Sequence, residues 1–450
     1  MSQHSLSIRR EIGRTLHLAY PVIIGQLGHI MMGVVDSLMV GRLGPTPLAA
    51  ASLANGLFFL ILVLGLGISY AITPLVAMAE GAARPRECGV VLRQGLVVGL
   101  GAGGVLAVLT FGISWLIPHL QQPPAVTAEA VDYIRILGYS VLPIMLFQVY
   151  RQFSEGVSHT VPPMAITLAA NLSNIFCNWI LIYGHLGMPA LGLRGAGWAT
   201  FITRSLMALA MVWYVRSARR YAVFDPTLHY RRLDPVIIRR LLRIGLGSGF
   251  QHFFEVGAFS GAAIMIGWLG TEPLAAHQIA LSMAATTFMF AVGISAAAAI
   301  RVGNAVGRQS VAATRSAGFS AILLSAGVMT FFGLIFVAFR RVLPTLFIDN
   351  TRVVEIAAAL LVVAALFQMS DGTQAAGLGV LRGMADVRIP TLITFIAYWL
   401  LGLPVGYALG FWVKWGVVGV WVGLALALTA SAVMLTLRFH RLSRSPVHVR

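Results

Sequence analysis

Long apolar stretches follow one another along the chain, parted by short clusters of arginine, glycine and proline. A helix needs about 20 apolar residues to cross the hydrocarbon of a bilayer, and about twelve stretches meet that length. They cover 15–39, 48–78, 91–117, 128–153, 162–184, 195–215, 241–266, 273–300, 313–339, 351–380, 389–411 and 416–438. Within hydrocarbon every backbone N–H and C=O must be paired inside the structure, which predicts helices. The short alternating segments of a transmembrane barrel are absent. The expected fold class is therefore an all-α membrane protein with twelve transmembrane helices.

Composition strengthens this reading. The chain is 58% hydrophobic and 10% charged, with a mean hydropathy of +0.84. Soluble domains run near about 25% charged, so this polypeptide could not cover a water-facing surface. With the N-terminus placed in the cytoplasm, the inner segments hold about 24 Lys and Arg and the outer loops about 6. Arg135 and Arg204 fall inside spans. The bias predicts both termini inside, so the net charge of +17 reads as a topology signal. It does not read as a nucleic-acid footprint, which would be a basic patch on a soluble fold. The first span has full length and no small-residue cleavage site, so no cleavable signal peptide is expected. Cys88 and Cys177 form no CxxC and read as packing residues.

The chain also says one thing twice. GRLGPTPLAA at 41–50 returns as GWLGTEPLAA at 267–276, an offset of 226 residues. In the same register Gly67-Ile68-Ser69 meets Gly293-Ile294-Ser295, and Gly81 meets Gly307; Gly156 and Pro163 then echo Gly383 and Pro390. Identities that hold register across a helix–loop–helix boundary indicate an internal duplication. Each copy holds six spans, so both enter the membrane in the same direction. This is the parallel repeat of some transporters, with a pseudo-two-fold axis along the membrane normal. The expected organisation is an N-terminal six-helix lobe over 1–215, a basic cytoplasmic linker over 216–240 and a C-terminal six-helix lobe over 241–450. Two such lobes could rock about a central cleft.

A charge at the bilayer centre costs at least about 2.5–3.5 kcal/mol, so each one asks for a reason. Asp36, Glu255 and Asp371 lie well inside spans. Glu255 is twelve residues from Arg243 and Asp371 eleven from Arg382, which puts both about 16–18 Å from the inner basic row at 1.5 Å per residue. Asp36 sits further out, six residues before Arg42. Asn171, Asn174 and Asn178 share one helix face at a depth overlapping Asp36. Carboxylate and amide oxygens suit a proton or Na⁺; asparagines also join helices by hydrogen bonds. At the repeat offset Glu255 falls on His29, Asp36 on Ala262 and Asp371 on Met145. The backbone plan is duplicated and the charges are not, which favours a functional role for all three.

Weaker signals surround them. Gln251, His277 and Gln278 either line the cleft or bond across helices. Phe253, Phe254, Phe259, Met283, Phe288, Met289 and Phe290 read either as lipid-facing and packing residues or as an adaptable apolar wall. Arg204 reads as snorkelling or helix-paired in preference to lining a transport path, and Pro21 predicts a kink in the first helix. No HExxH, GxSxG, phosphate-binding GxxxxGK[ST] or metal-spaced Cys/His cluster occurs, so no enzyme is expected. Without a nucleotide site, ion gradients would supply the energy.

Asp36 in GVVDSLMVGRLG, the paired GRLG…PLAA and GWLG…PLAAHQIA, Glu255 in FQHFFEVG and Asp371 in FQMSDGTQAAGLGVLRG together resemble the multidrug and toxic compound extrusion (MATE) transporters, most closely their bacterial NorM branch. The resemblance runs over nearly the whole chain. It implies a multi-pass antiporter of the bacterial inner membrane, exporting cationic and aromatic drugs by alternating access in exchange for Na⁺ or H⁺. It implies no other cofactor, no nucleic-acid partner, and a monomer in the lipid bilayer. Asp36, Asn174 and Asn178 match the family's cation site in the first lobe, and Glu255 and Asp371 its site in the second. Drug contacts are expected at Asp36, Glu255, Gln278, Phe288 and Asp371. In some relatives a tyrosine one turn before the aspartate completes the second site; here that position is Phe367. The alternatives are a lipid-linked sugar flippase of the same superfamily and a membrane-embedded receptor or enzyme.

Overall fold

The computed structural model describes residues 2–226 and 233–445. Its helices follow the apolar stretches. They are α1 (Ser2–Gly41), α2 (Pro45–Ser69), α3 (Ile72–Gly81), α4 (Pro85–Ser114), α5 (Pro124–Tyr139), α6 (Val141–Gly156), α7 (Val161–Tyr183) and α8 (Leu193–Ser217). The second half supplies α9 (Pro235–Gly267), α10 (Thr271–Gly307), α11 (Val311–Ala338), α12 (Thr351–Gly383), α13 (Arg388–Phe395), α14 (Leu403–Tyr407) and α15 (Gly416–Leu442). Among the described residues ten helical segments are long and apolar enough to span a bilayer, α2 and α3 counting as one. A pair bent by 41°, α5 and α6, makes an eleventh. The twelfth is α9, 33 residues long, whose apolar character Gln251, His252 and Glu255 dilute.

Two expected spans are less regular than the hydropathy suggests. The stretch over 128–153 is bent at Ser140, whose hydroxyl donates back to the Leu137 carbonyl. The stretch over 389–411 is wound as π-helix at Ile396–Gly402 and again at Ala408–Trp412, with α14 between. A π-turn carries an extra residue and re-aims the side chains around it.

The repeat is written in the backbone. Gly44 and Gly270, which precede α2 and α10, have φ of 125° and 123°, a region open in practice to glycine alone. Downstream, Ala50 and Ala54 and their counterparts Ala276 and Ala280 are all fully buried, as small residues are where membrane helices close on each other. The left-handed residues repeat even where side chains differ: Ala83 and Gln309 at φ 57° and 56°, Ser158 and Ala385 at 62° and 58°.

Two compact units result: residues 24–249, and residues 1–23 with 250–450. The first has a core of Phe58, Tyr133, Ile134, Leu137 and Met145 among others. The second is built on Leu360, Leu361, Phe367, Tyr398, Trp421 and Leu424. The borders of these units fall inside α1 and α9. Close packing explains both. Gly67 of α2 meets the backbone of Gly249 in α9, and Gly293 of α10 meets Ile23 in α1.

Much of the expected linker is docked. Residues 219–224 form a 3₁₀ turn, Tyr221 is fully buried and shares a hydrogen bond of 2.6 Å with Ser154, and Arg93 donates to the Asp225 carbonyl at 3.0 Å. Burial and the charge of Arg220 keep the neighbouring His159 below the usual histidine range. The linker stretch 227–232 lies outside the described residues.

Candidate functional site

In the unit of residues 24–249, α1 and α7 bring Asp36, Asn174 and Asn178 together. Four residues apart on α7, the two asparagines share a face and are fully buried. Asn178 Nδ2 donates to Asp36 Oδ1 at 2.6 Å and to Asn174 Oδ1 at 3.2 Å. The Tyr183 hydroxyl donates to the Met39 carbonyl at 2.8 Å and fixes the end of α1 against α7. Asn171 stands apart from this group: its Nδ2 donates within α7 to the Thr167 carbonyl at 3.0 Å, beside Gly28.

Arg204 of α8 lies within electrostatic reach of Asp36 and Tyr133. Its Nη1 donates to Ser140 Oγ at 2.6 Å and its guanidinium sits 5.1 Å from the Phe58 ring centre. It is helix-paired, one of the readings its sequence allows. What sequence reasoning missed is that it lies within electrostatic reach of Asp36. The bend at Ser140 supplies the hydroxyl that holds it, and a bend leaves no trace in hydropathy.

In the other unit α9 carries Glu255 and α12 carries Asp371, 9% and 7% exposed and within electrostatic reach of each other. Gln374 Nε2 donates to Glu255 Oε1 at 3.2 Å, and its Oε1 accepts the Tyr398 hydroxyl at 3.0 Å. Gln374 and Tyr398 are both fully buried. Neither was singled out from the sequence. Gln374 had a signal, since it lies three residues past Asp371 on one helix face. Tyr398 had almost none, because the π-turn of Ile396–Gly402 aims it. Phe367 packs with Tyr398 and Trp421 in the core and offers no hydroxyl, so the hydroxyl of this cluster comes from a different helix than the resemblance suggests.

The same turn also grips α9. Trp399 Nε1 donates to the Phe254 carbonyl at 2.9 Å, next to Glu255, and Phe395 packs at a tilt against Phe254 with ring centres 5.0 Å apart. Phe288 packs on Met329 and Ala375, beside the turn of α12 that bears Asp371 and Gln374. Gln278 is exposed near the start of α10 and is not among these residues. Its neighbour His277 is fully buried and accepts from Trp421 Nε1 at 3.0 Å, a helix-joining role.

No ion pair among the described residues involves Asp36, Glu255 or Asp371. The buried pair Arg151 and Glu155, at 2.7 Å, satisfies itself instead, and Arg151 Nη1 lies 3.3 Å from His29 Nε2. A guanidinium only donates, so this contact makes His29 Nε2 the acceptor and the imidazole neutral.

The chain matches the family model MatE over residues 21–180 and 248–408, one match in each copy of the repeat. It is 40% identical over 443 residues to the probable multidrug resistance protein NorM of Rhodopseudomonas palustris, covering 97% of this chain and 93% of that one. It is 37% identical to the multidrug resistance protein MdtK of Cronobacter sakazakii, over 97% and 96% of the two chains. A solved MATE in the bent conformation superposes with a TM-score of 0.89 at 19% identity, over 97% of each chain. The eukaryotic MATE transporter AtDTX14 gives 0.86 at 22%, over 98% and 100%. Both structures speak for the fold; the family rests on the sequence matches. This chain belongs to the MatE family.

Proposed function

We propose that the protein is a secondary active multidrug efflux antiporter, exporting cationic and aromatic small molecules in exchange for H⁺ or Na⁺ by alternating access. The observation that carries this reading is the pair Glu255 and Asp371: two buried carboxylates within reach of each other, with no ion-pair partner among the described residues. Such a pair calls for a cation, and a drug, a proton or Na⁺ can each supply it. Ionised carboxylates hold the drug cation. On the outer side H⁺ or Na⁺ replaces it, the drug loses its counter-charge, and the ion is carried back and released inside. Phe254, Phe288 and Trp399 give an aromatic body somewhere to lie, since such surfaces re-pack around varied ligands.

Gln374 and Tyr398 complete the cluster as neutral ligands in this reading. The Tyr398 hydroxyl lies against both Gln374 and Glu255, where its oxygen can join the carboxylates in facing a cation. Asp36, with Asn174 and Asn178, is the second cation site. The names NorM and MdtK multidrug resistance protein among the relatives support the drug substrate. We place the chain as a monomer in the bacterial inner membrane with both termini cytoplasmic. No role in catalysis and no nucleic-acid partner belong to this reading. A flippase for pyrophosphate-linked sugars would want a cationic site, and this cluster is acidic.

Energy follows from stoichiometry. One elementary charge crossing 100 mV is worth about 2.3 kcal/mol, or a gradient of about 50-fold. One ion exchanged for one monovalent drug moves no net charge, so only the ion's concentration gradient would drive it. The test is drug efflux from proteoliposomes under separate Na⁺ and pH gradients. Efflux driven by either one supports the antiporter and names its ion. Efflux driven by neither overturns the proposal.

A further inference from the structure

The opening stretch of α1 belongs to the compact unit of residues 250–450 and not to the copy of the repeat it starts. Two contacts hold it there. Gly293 of α10 faces Ile23 and the Ala19 carbonyl so closely that a methyl group would overlap Ile23. Two turns along α10, Arg301 closes on α1 from the side. Its Nη1 donates to the Glu11 carbonyl at 2.8 Å and to Thr15 Oγ1 at 2.6 Å, while Nη2 donates to the Glu11 carboxylate. Thr15 in turn donates to the Glu11 carbonyl at 3.0 Å and is fully buried. The Arg301 and Glu11 side chains keep 12% and 16% exposure, so water can reach both.

The repeat supplies a control. Gly67 corresponds to Gly293 at the offset of 226 and makes the matching contact in the other unit, with Gly249 of α9. At that offset Glu11, Thr15 and Arg301 fall on Ile237, Leu241 and Leu75. The helix contact is duplicated but the charged fork is not. Backbone against glycine has one good arrangement, held by close packing. The Arg301 fork keeps some contact with water, which can take over part of the hydrogen bonding it gives up when it opens.

We propose that Arg301, Glu11 and Thr15 form a releasable latch, and that Arg301 is a positioning residue for transport. Closed, it fixes residues 9–23 against α10; its opening frees that stretch during the cycle. This rests on the alternating-access reading, but its test does not depend on drug movement.

The full-length protein, with Cys88 and Cys177 replaced by alanine, receives Ala19→Cys and is treated in proteoliposomes with N-ethylmaleimide. Ala19 is fully buried beneath Gly293, so the parent reacts slowly. Losing the charge-assisted bonds of Arg301 in Arg301→Ala speeds labelling at least about tenfold. Arg301→Lys, which keeps the charge and loses the fork, falls between the two. Combining Glu11→Arg with Arg301→Glu brings the rate back to within about threefold of the parent. In drug uptake, Arg301→Ala lowers the maximal rate and leaves KM within about twofold. Equal labelling of parent and Arg301→Ala overturns the latch, as does a charge-exchanged chain that labels as fast as Arg301→Ala. Should Arg301→Ala fail to accumulate in the membrane, Arg301→Lys and the exchanged pair decide the matter by the same rates. Absence of drug transport by the unsubstituted protein would count against the antiporter reading and leave the labelling comparison intact.

Discussion

Asp36 and the pair Glu255–Asp371 occupy the two copies of one duplicated backbone, yet they keep different company. Asp36 has an amide donor at 2.6 Å and Arg204 within electrostatic reach, so a cation of the protein itself offsets its charge. Glu255 and Asp371 bring two negative charges to one cluster, with Gln374 and Tyr398 as neutral partners. The only cation in reach of Glu255 among the described residues is Arg382, eleven residues along α12 from Asp371, or about 16 Å. At full ionisation the first cluster is neutral and the second carries an excess negative charge. Under the proposed antiport, this contrast would put cation exchange chiefly in the second copy and a supporting cation site in the first. It also shows how duplication frees one copy to change: Gln148 and Gln374 are counterparts at the repeat offset, but Met145 and His29 stand where Asp371 and Glu255 do.

The largest expected effect breaks the second cluster. Glu255→Gln or Asp371→Asn, at normal membrane levels, should cut ion-driven efflux of an ethidium-like cation at least about 100-fold, since removing a group that acts only as part of a unit costs nearly the whole function. Asp36→Asn should cost less, about tenfold, and most of that through the charge left unbalanced on Arg204. Adding Arg204→Gln to Asp36→Asn should therefore recover efflux relative to Asp36→Asn alone, and a further loss would contradict the neutral-cluster account. Tyr398→Phe should weaken apparent ion affinity about fivefold, the worth of one neutral hydrogen-bonding group, with expression unchanged. The smallest contrast tests likeness instead of difference. Gly44→Ala and Gly270→Ala should each cost about 1–3 kcal/mol from the same forbidden backbone angle, with matching falls in thermal midpoint. Unequal falls would mean that the two turns are not equivalent.

Most of the fold could be read from the amino-acid sequence because hydrocarbon enforces it: a span must be long, apolar and helical. The repeat was legible for a related reason, since Gly44, Gly270, Ala50 and Ala276 are fixed by backbone angle and close packing and so persist when other residues drift. Asp36, Asn174, Asn178, Glu255 and Asp371 stood out because polar groups in oil are costly, and the structure brings them into two clusters. Gln278 stood out for the same reason; its side chain is exposed and lies outside both clusters. Arg204 and Tyr398 were legible only as residues, because a bend at Ser140 and a π-turn at Ile396–Gly402 decide where they reach. Neither feature alters hydropathy. The unit borders inside α1 and α9 were hidden too: contact partners distant in the chain set them, and Gly67 and Gly293 announced a duplication without saying which helix each would meet.

The central claim is that a drug and a small cation take turns on Glu255 and Asp371. Adding tetraphenylphosphonium to the purified protein in weakly buffered solution, with H⁺ and Na⁺ release followed together, tests it without transport. The account predicts that drug binding expels H⁺ or Na⁺, and that the Glu255→Gln, Asp371→Asn protein expels neither. Drug binding of unchanged affinity with no ion released, or undiminished release from the doubly substituted protein, would contradict it.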